Sequence, residues 1–360
     1  MSRWSFRHWC LLSGITVLLF FLSFFIGRYA ITPREVTSTL FFGFVRQAAE
    51  WWVALASWVS GSPHAASAVA VDPHLADLHY TVMFQIRLPR IVAAVLVGGG
   101  LSIAGTSFQG LFKNPLVSPD LLGVASGAGF GAALGILFSG SPIVIQASAF
   151  IFGIVAVAVT YGISKVYRST TTLVLVLSGI IIGALFSALL SFLKYVADPY
   201  DTLPAIVFWL MGSLASARFS EILISAIPMT IGIVGLFALR WRLNLLSMGD
   251  KEAQALGINI TVTKGLAIFF ATIATAGAVC VSGIIGWVGL VIPHIGRMIV
   301  GDDNVLLIPV SLSIGACFMI LVDNLARTLT GSEIPLGIMT SLIGAPFFVY
   351  LLKRTKGRGW

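Results

Sequence analysis

The chain has 360 residues, 58% of them hydrophobic and only 10% charged, with a net charge of +8 and a mean hydropathy of +0.98. Those values exclude an ordinary soluble two-domain enzyme and define a polytopic, all-α membrane protein. The positive charge calls for no nucleic acid, because basic loops beside anionic lipid account for it.

A spanning helix needs about 20 residues without an unpaired ion, so intervals free of Asp, Glu, Lys and Arg mark the spans. The first runs from His8 to Gly27 behind Arg3 and Arg7. It resembles a signal peptide but lacks a small-residue cleavage site, which predicts an uncleaved first helix. Cys10 precedes the apolar stretch that opens at Leu11, and Cys280 and Cys317 lie inside later spans, so all three read as packing residues.

Arg28 to Arg90 is the longest extramembrane segment. Its tryptophan-bearing stretch Arg46 to Gly61 predicts a helix at the membrane surface, while Trp51 to Val71 is too broken by Ser60–Pro63 to span. His64, His74 and His79 also fall here, without the tight spacing that a metal or haem site would need.

Further apolar intervals are Ile91 to Phe112, Leu121 to Ser164, Ser169 to Leu193, Ile222 to Leu239, Gly265 to Gly296, Asn304 to Val322 and Ile334 to Leu352. Two exceed a single span and divide at Ser139–Pro142 and at the series Gly283, Gly286, Gly289, Pro293. Thr202 to Ala217, with Pro204 near its start, reads as interfacial or re-entrant. The sum is ten helices with both termini on one side. That side carries fourteen of the 22 Lys and Arg in short loops and is therefore cytoplasmic.

Two internal echoes suggest an inverted repeat. Gly183, Ala184 and Phe186 of "SGIIIGALFSAL" recur 161 residues later as Gly344, Ala345 and Phe347 of "TSLIGAPFFVYL". "SIAGTSFQGLFKNPLV" and "CVSGIIGWVGLVIPHI" share a Gly, a later Gly-Leu and a following Pro. In "FKNPLVSPDLLG", Pro115 and Pro119 predict a bend from Asn114 to Asp120 at the inner surface. Asp323 precedes Arg327 by four residues, the spacing of a local ion pair near the outer end of a helix. The alternative is a proton or sodium site in an ion-coupled secondary transporter. Enzyme chemistry lacks its parts: there is no H-E-x-x-H, no nucleophile elbow and no paired intramembrane aspartates. Without G-x-x-x-x-G-K-[ST], any ATP must be held by another chain.

One polar stretch, "SMGDKEAQALGINI" (Ser247 to Ile260), predicts a short helix with Asp250 and Glu252 in its positive first turn and Gly257 as its stop. Ala253 and Leu256, three apart, would share one face.

With "QIRLPRIVAAVLVGGGLSIAGTSFQGLFKNPLVSPDLLGVASGAG", "SGIIGWVGLVIPHIGRMIVG" and "EIPLGIMTSLIGAPFFVYLL", this stretch resembles the permease subunits of type II ABC importers for iron-siderophores, haem and cobalamin, from Gln85 to Lys353. The resemblance implies ten helices per copy in the bacterial inner membrane and two copies around a central pathway. It also implies a cytoplasmic ATPase dimer holding ATP and Mg, and a periplasmic binding protein. It divides the chain into a first helix with its outer loop, 1–84, and a permease core, 85–360. It implies ATPase coupling through Gly249, Asp250, Glu252, Ala253, Leu256 and Gly257, and a cytoplasmic gate of Asn114, Leu116, Thr171 and Thr172. Arg87, Arg90 and Arg327 would meet the binding protein as exposed guanidinium groups. The cargo implied is an iron complex or cobalamin-like molecule, with an oxyanion as a further member of the family's range.

Overall fold

The computed structural model describes residues 6–43, 45, 78–166 and 172–354. The proposed surface helix at 46–61, His64, His74 and Thr171 lie outside them. The helices include α1 (Phe6–Leu22), α2 (Leu88–Phe112), α3 (Val124–Phe138), α4 (Pro142–Val166), α5 (Thr172–Val196) and α6 (Thr202–Met211), then α7 (Phe219–Met248), α8 (Asp250–Ala255), α9 (Ile260–Ser282), α10 (Val288–Val300), α11 (Asn304–Thr328) and α12 (Leu336–Arg354), and residues 33–43 are helical as well. Among the described residues, six helices are long and apolar enough to cross a membrane, and the shorter apolar ones include α1, α3, α6, α10 and most of α12.

α2 is the central post: 83% of its most apolar stretch is buried, against 28% for α4 and for α5. In lipid, burial between helices gains close contact rather than relief from water, so small residues decide which backbones can meet. A Cβ on Gly98 would lie 2.2 Å from the carbonyl of Gly315 in α11, and one on Gly105 would lie 1.9 Å from that of Gly289 in α10. Gly127, Gly131 and Gly135, four apart, press α3 onto α4 at Phe152, Ser148 and Ile145 in the same way.

Two ends of the bundle are distinguishable. At one, Arg90 of α2 pairs with Asp323 of α11; at the other, Lys113 after α2 and Lys264 of α9 reach Asp250 of α8. α5 and α12, which carry the first echo, run in opposite directions between these ends; the matched Gly-Leu pairs of the second echo lie in α2 and α10, which run in the same direction, so that echo is not an inverted one.

The helix entering α2 begins at Leu78, passing through a π-helical segment at Thr81–Arg87. The charge-free interval starting at Ile91 therefore understated it, and the division between residues 84 and 85 falls inside a continuous helix. Arg87 and Arg90 interrupt the apolar pattern but not the backbone, because both are buried and bonded.

α3 and α10 are half-length helices of 15 and 13 residues, each entered through irregular backbone. Residues 283–287 lead into α10, with Gly283 at φ +66° and Trp287 at φ +70°. Residues 113–118 lead to a 3-10 turn at Pro119–Leu122 and then α3. Only Asn114–Leu116 of the expected surface bend is at the surface. Val117, Pro119 and Leu122 are buried, and Gly289 closes on the ring of Pro119. Irregular backbone can go this deep because its carbonyls find donors within the protein. The Gln109 side-chain amide donates to Val117 O at 3.1 Å and, at longer range, to Gly289 O and Leu290 O at 3.4 and 3.5 Å, joining both breaks. Thr160 Oγ1 donates to Leu122 O at 3.1 Å.

Gln109→Leu keeps the volume and removes that donor. The expected loss is about 1–3 kcal/mol for carbonyls left unsatisfied, seen as a lower melting temperature of the permease in detergent. An unchanged melting temperature would remove Gln109 from this role.

Candidate functional site

At the Asp250 end, α8 is held by its caps. Gly249 has an extended, positive-φ backbone, and a Cβ there would strike the Glu252 carboxylate. At the far end Ile258 N donates to Ala253 O and Gly257 N to Gln254 O, with Gly257 at φ +82°, a Schellman stop that fulfils the sequence expectation. Lys264, nearly buried, donates to Asp250 at 2.6 Å and ties the start of α8 to α9.

The two apolar residues of this helix do not share an outward face. Ala253 is fully buried in a cluster with Leu243, Leu246 and Ile258, whereas Leu256 is 58% exposed. The helix ends at Ala255, so Leu256 already follows the C-terminal turn rather than the helical period. Lys251, Glu252, Gln254 and Ala255 are exposed beside it. What the α8 turn itself offers a partner is thus Leu256 among mostly polar neighbours on an anchored turn.

The gate residues Asn114 and Leu116 are both exposed at this end, where Asn114 Oδ1 accepts from Leu116 N at 2.9 Å. Thr172 opens α5.

The opposite end corrects an expectation. Arg87, Arg90 and Arg327 are not exposed: they retain 3%, 6% and 5% of their surface. Arg87 donates to the carbonyls of Phe24 and Tyr29 and fills the space left by Gly27. Arg90 Nε bridges Asp323 at 2.8 and 3.0 Å, and its Nη1 reaches Glu333 at 2.9 Å. Arg327 donates to Asn324 Oδ1 and Ser23 Oγ and lies 3.6 Å from Asp323. A bare guanidinium in an apolar bundle is costly, and the chain supplies carboxylates and carbonyls rather than leaving the charge to a partner. Asp323 does pair with Arg327 as its spacing suggested, but Arg90, 233 residues away, is the closer partner. Held between two guanidinium groups and 1% exposed, it is not built as an exchangeable ion site.

Gln109, Ser23, Asn324 and Glu333 escaped sequence reasoning because no local spacing marks them. Only the unusual position of a Gln within an apolar run could have drawn notice. His79 stacks at a tilt on Tyr29, 6.0 Å between centroids, and no group of three potential metal ligands occurs among the described residues.

An all-helical bundle with half-length helices, buried charge at one end and a capped polar turn at the other has the build of a multi-pass transport permease. The chain belongs to the FecCD transport family, which matches residues 15–354. It is 41% identical over 350 residues to the molybdate import system permease protein MolB of Haemophilus influenzae, covering 96% of each chain. It is 44% identical over 276 residues to a probable iron chelatin transport system permease protein of Helicobacter pylori, covering 77% of this chain and 83% of the other. A solved structure described as a metal-chelate type ABC transporter in an inward-facing conformation superposes with a TM-score of 0.79 at 38% identity, covering 95% of this chain and 97% of the other. The protein is accordingly an ABC importer permease, a transporter subunit rather than an enzyme. An ion-coupled secondary transporter centred on Asp323 is set aside by the family and by the paired state of that carboxylate.

Arg90→Ala should destabilise the permease by about 3–5 kcal/mol, because Asp323 would stay buried with its nearer partner gone. Replacing the pair by Arg90→Met with Asp323→Leu should recover much of that loss. Denaturation in detergent decides it, and a single mutant as stable as wild type would contradict the network.

Proposed function

We propose that this chain is the membrane subunit of an ATP-driven, binding-protein-dependent importer in a bacterial inner membrane. It would have ten spans per copy, two copies around a central pathway and both termini in the cytoplasm. The observation that carries the reading is the α8 turn. It starts at Gly249, is closed by the Gly257 turn, is anchored by Ala253 and Lys264, and presents Leu256 to the outside. A short rigid element of this kind can sit in a cleft of a cytoplasmic ATPase and pass on rigid-body motion. ATP and Mg belong to that partner. Asn114, Leu116, Thr171 and Thr172 form the cytoplasmic gate on this reading.

A periplasmic binding protein would dock at the Arg90 end. Arg87, Arg90 and Arg327 serve there by fixing the frame of α1, α2 and α11, and exposed residues around them make the contact. The cargo is an iron complex on the sequence resemblance. An oxyanion is the second reading, favoured by the relative that matches 96% of both chains and is named for molybdate.

The test is ATP hydrolysis by the reconstituted importer in liposomes, comparing wild type with Glu252→Arg plus Leu256→Asp. The variant is expected to lose ATPase assembly or its stimulation by the loaded binding protein. Full stimulation in the variant would refute the coupling assignment. Ferric complexes, haem, cobalamin and molybdate, each supplied with the binding protein, then separate the two cargo readings by which one stimulates hydrolysis.

A further inference from the structure

α4 stands apart from α7 but packs on α9, where a Cβ on Gly153 would meet Ala276 at 3.5 Å and one on Gly265 would meet the Tyr161 hydroxyl at 3.2 Å; the membrane-facing furrow beside this contact stays open. Between α4 and α7 lies an apolar cavity of about 480 Å³ with Ile143 and Pro228 in its walls, and between α4 and α9 another of about 350 Å³ with Ala158 and Tyr161. The two meet at Ile154 and Ile273, which line both. From Ile143 to Tyr161 the helix rises about 27 Å, close to the roughly 30 Å of a bilayer's hydrocarbon core. The groove is therefore as deep as the membrane, and Ile154 divides it into one portion for each leaflet.

The portion beside α9 ends at a cation. Lys165, exposed one turn beyond Tyr161, holds its ammonium 4.9 Å from that ring's centroid. No carboxylate lines either cavity among the described residues.

We infer that this groove is a phospholipid site. One acyl chain of a cytoplasmic-leaflet anionic lipid lies between α4 and α9 along Ala158 and Phe269, and its phosphate rests on Lys165. The lipid fills the furrow that protein side chains leave open beside the α4–α9 contact. The apolar walls, the length and the Lys165 ammonium at the leaflet surface each match a part of that ligand, and a helix of a second copy matches only the walls. The inference stands apart from ATPase coupling and cargo, so the Leu256 variant is expected to keep its lipid.

The experiment is native mass spectrometry of the full-length permease with its ATPase, released from detergent after titration with phosphatidylglycerol or phosphatidylcholine. Phosphatidylglycerol should be retained in preference. Lys165→Gln should lower that retention about fivefold, the effect of one basic residue at an anionic surface, and Ala158→Trp, which fills the groove, should abolish it. Equal retention of both lipids, or no change in Lys165→Gln, would overturn the inference even if the tryptophan variant failed to fold. Cross-linking of Ala158→Cys between two permease copies would do the same by placing protein in the groove.

Discussion

In a bilayer no water is available to take up a backbone carbonyl, and the architecture of this permease follows from how that demand is met. Uninterrupted helices meet it by themselves. The entries to α3 and α10 do not, and the chain brings both irregular stretches to one place, where the amide of Gln109 serves three carbonyls from two segments far apart in sequence. The glycine approaches of α2 to α10 and α11 are the steric condition for this, since a single Cβ at Gly105 would hold α10 off. Hydrogen bonding and close packing are thus a single device in which neither half works alone.

A similar economy governs the charged end. Five ionic groups, Arg87, Arg90, Asp323, Arg327 and Glu333, come together where α1, α2 and α11 end, and most of their hydrogen-bonding capacity is consumed internally. Such a cluster adds little net stability compared with well-packed apolar residues, but once present it cannot lose a member cheaply. Its contribution is definition: the helix ends at this face meet where Asp323 and Glu333 pair with Arg90, and Asp323 with Arg327.

The spans were legible in the sequence because the absence of charge is a direct consequence of the solvent. The α8 helix was legible too, through the acids in its first turn and the glycine that stops it. Where the reading failed, the deciding partner was distant in sequence. Arg87 and Arg90 read as surface groups since nothing nearby shows that Phe24, Tyr29 and Asp323 will surround them. Pro119 read as a surface bend because the donors that let it go deep, Gln109 and Thr160, sit on other elements. Ala253 and Leu256 read as one face because helical spacing was assumed one residue past the point where the helix ends. Local chemistry survives transfer from sequence to structure, and side-chain direction does so only when a long period supports it.

The inward turn of Ala253 also has a mechanical consequence. A helix attached only by its ends would flex when pushed, and the displacement would be absorbed in its own loops. Here the middle is keyed into the packing around Leu243 and Leu246, the start is tied to α9 through Lys264, and the close at Ile258 feeds straight into that helix. A load applied at Leu256 has no slack to take up, and it travels into α7 and α9 together, two helices that pack on each other and on the central post.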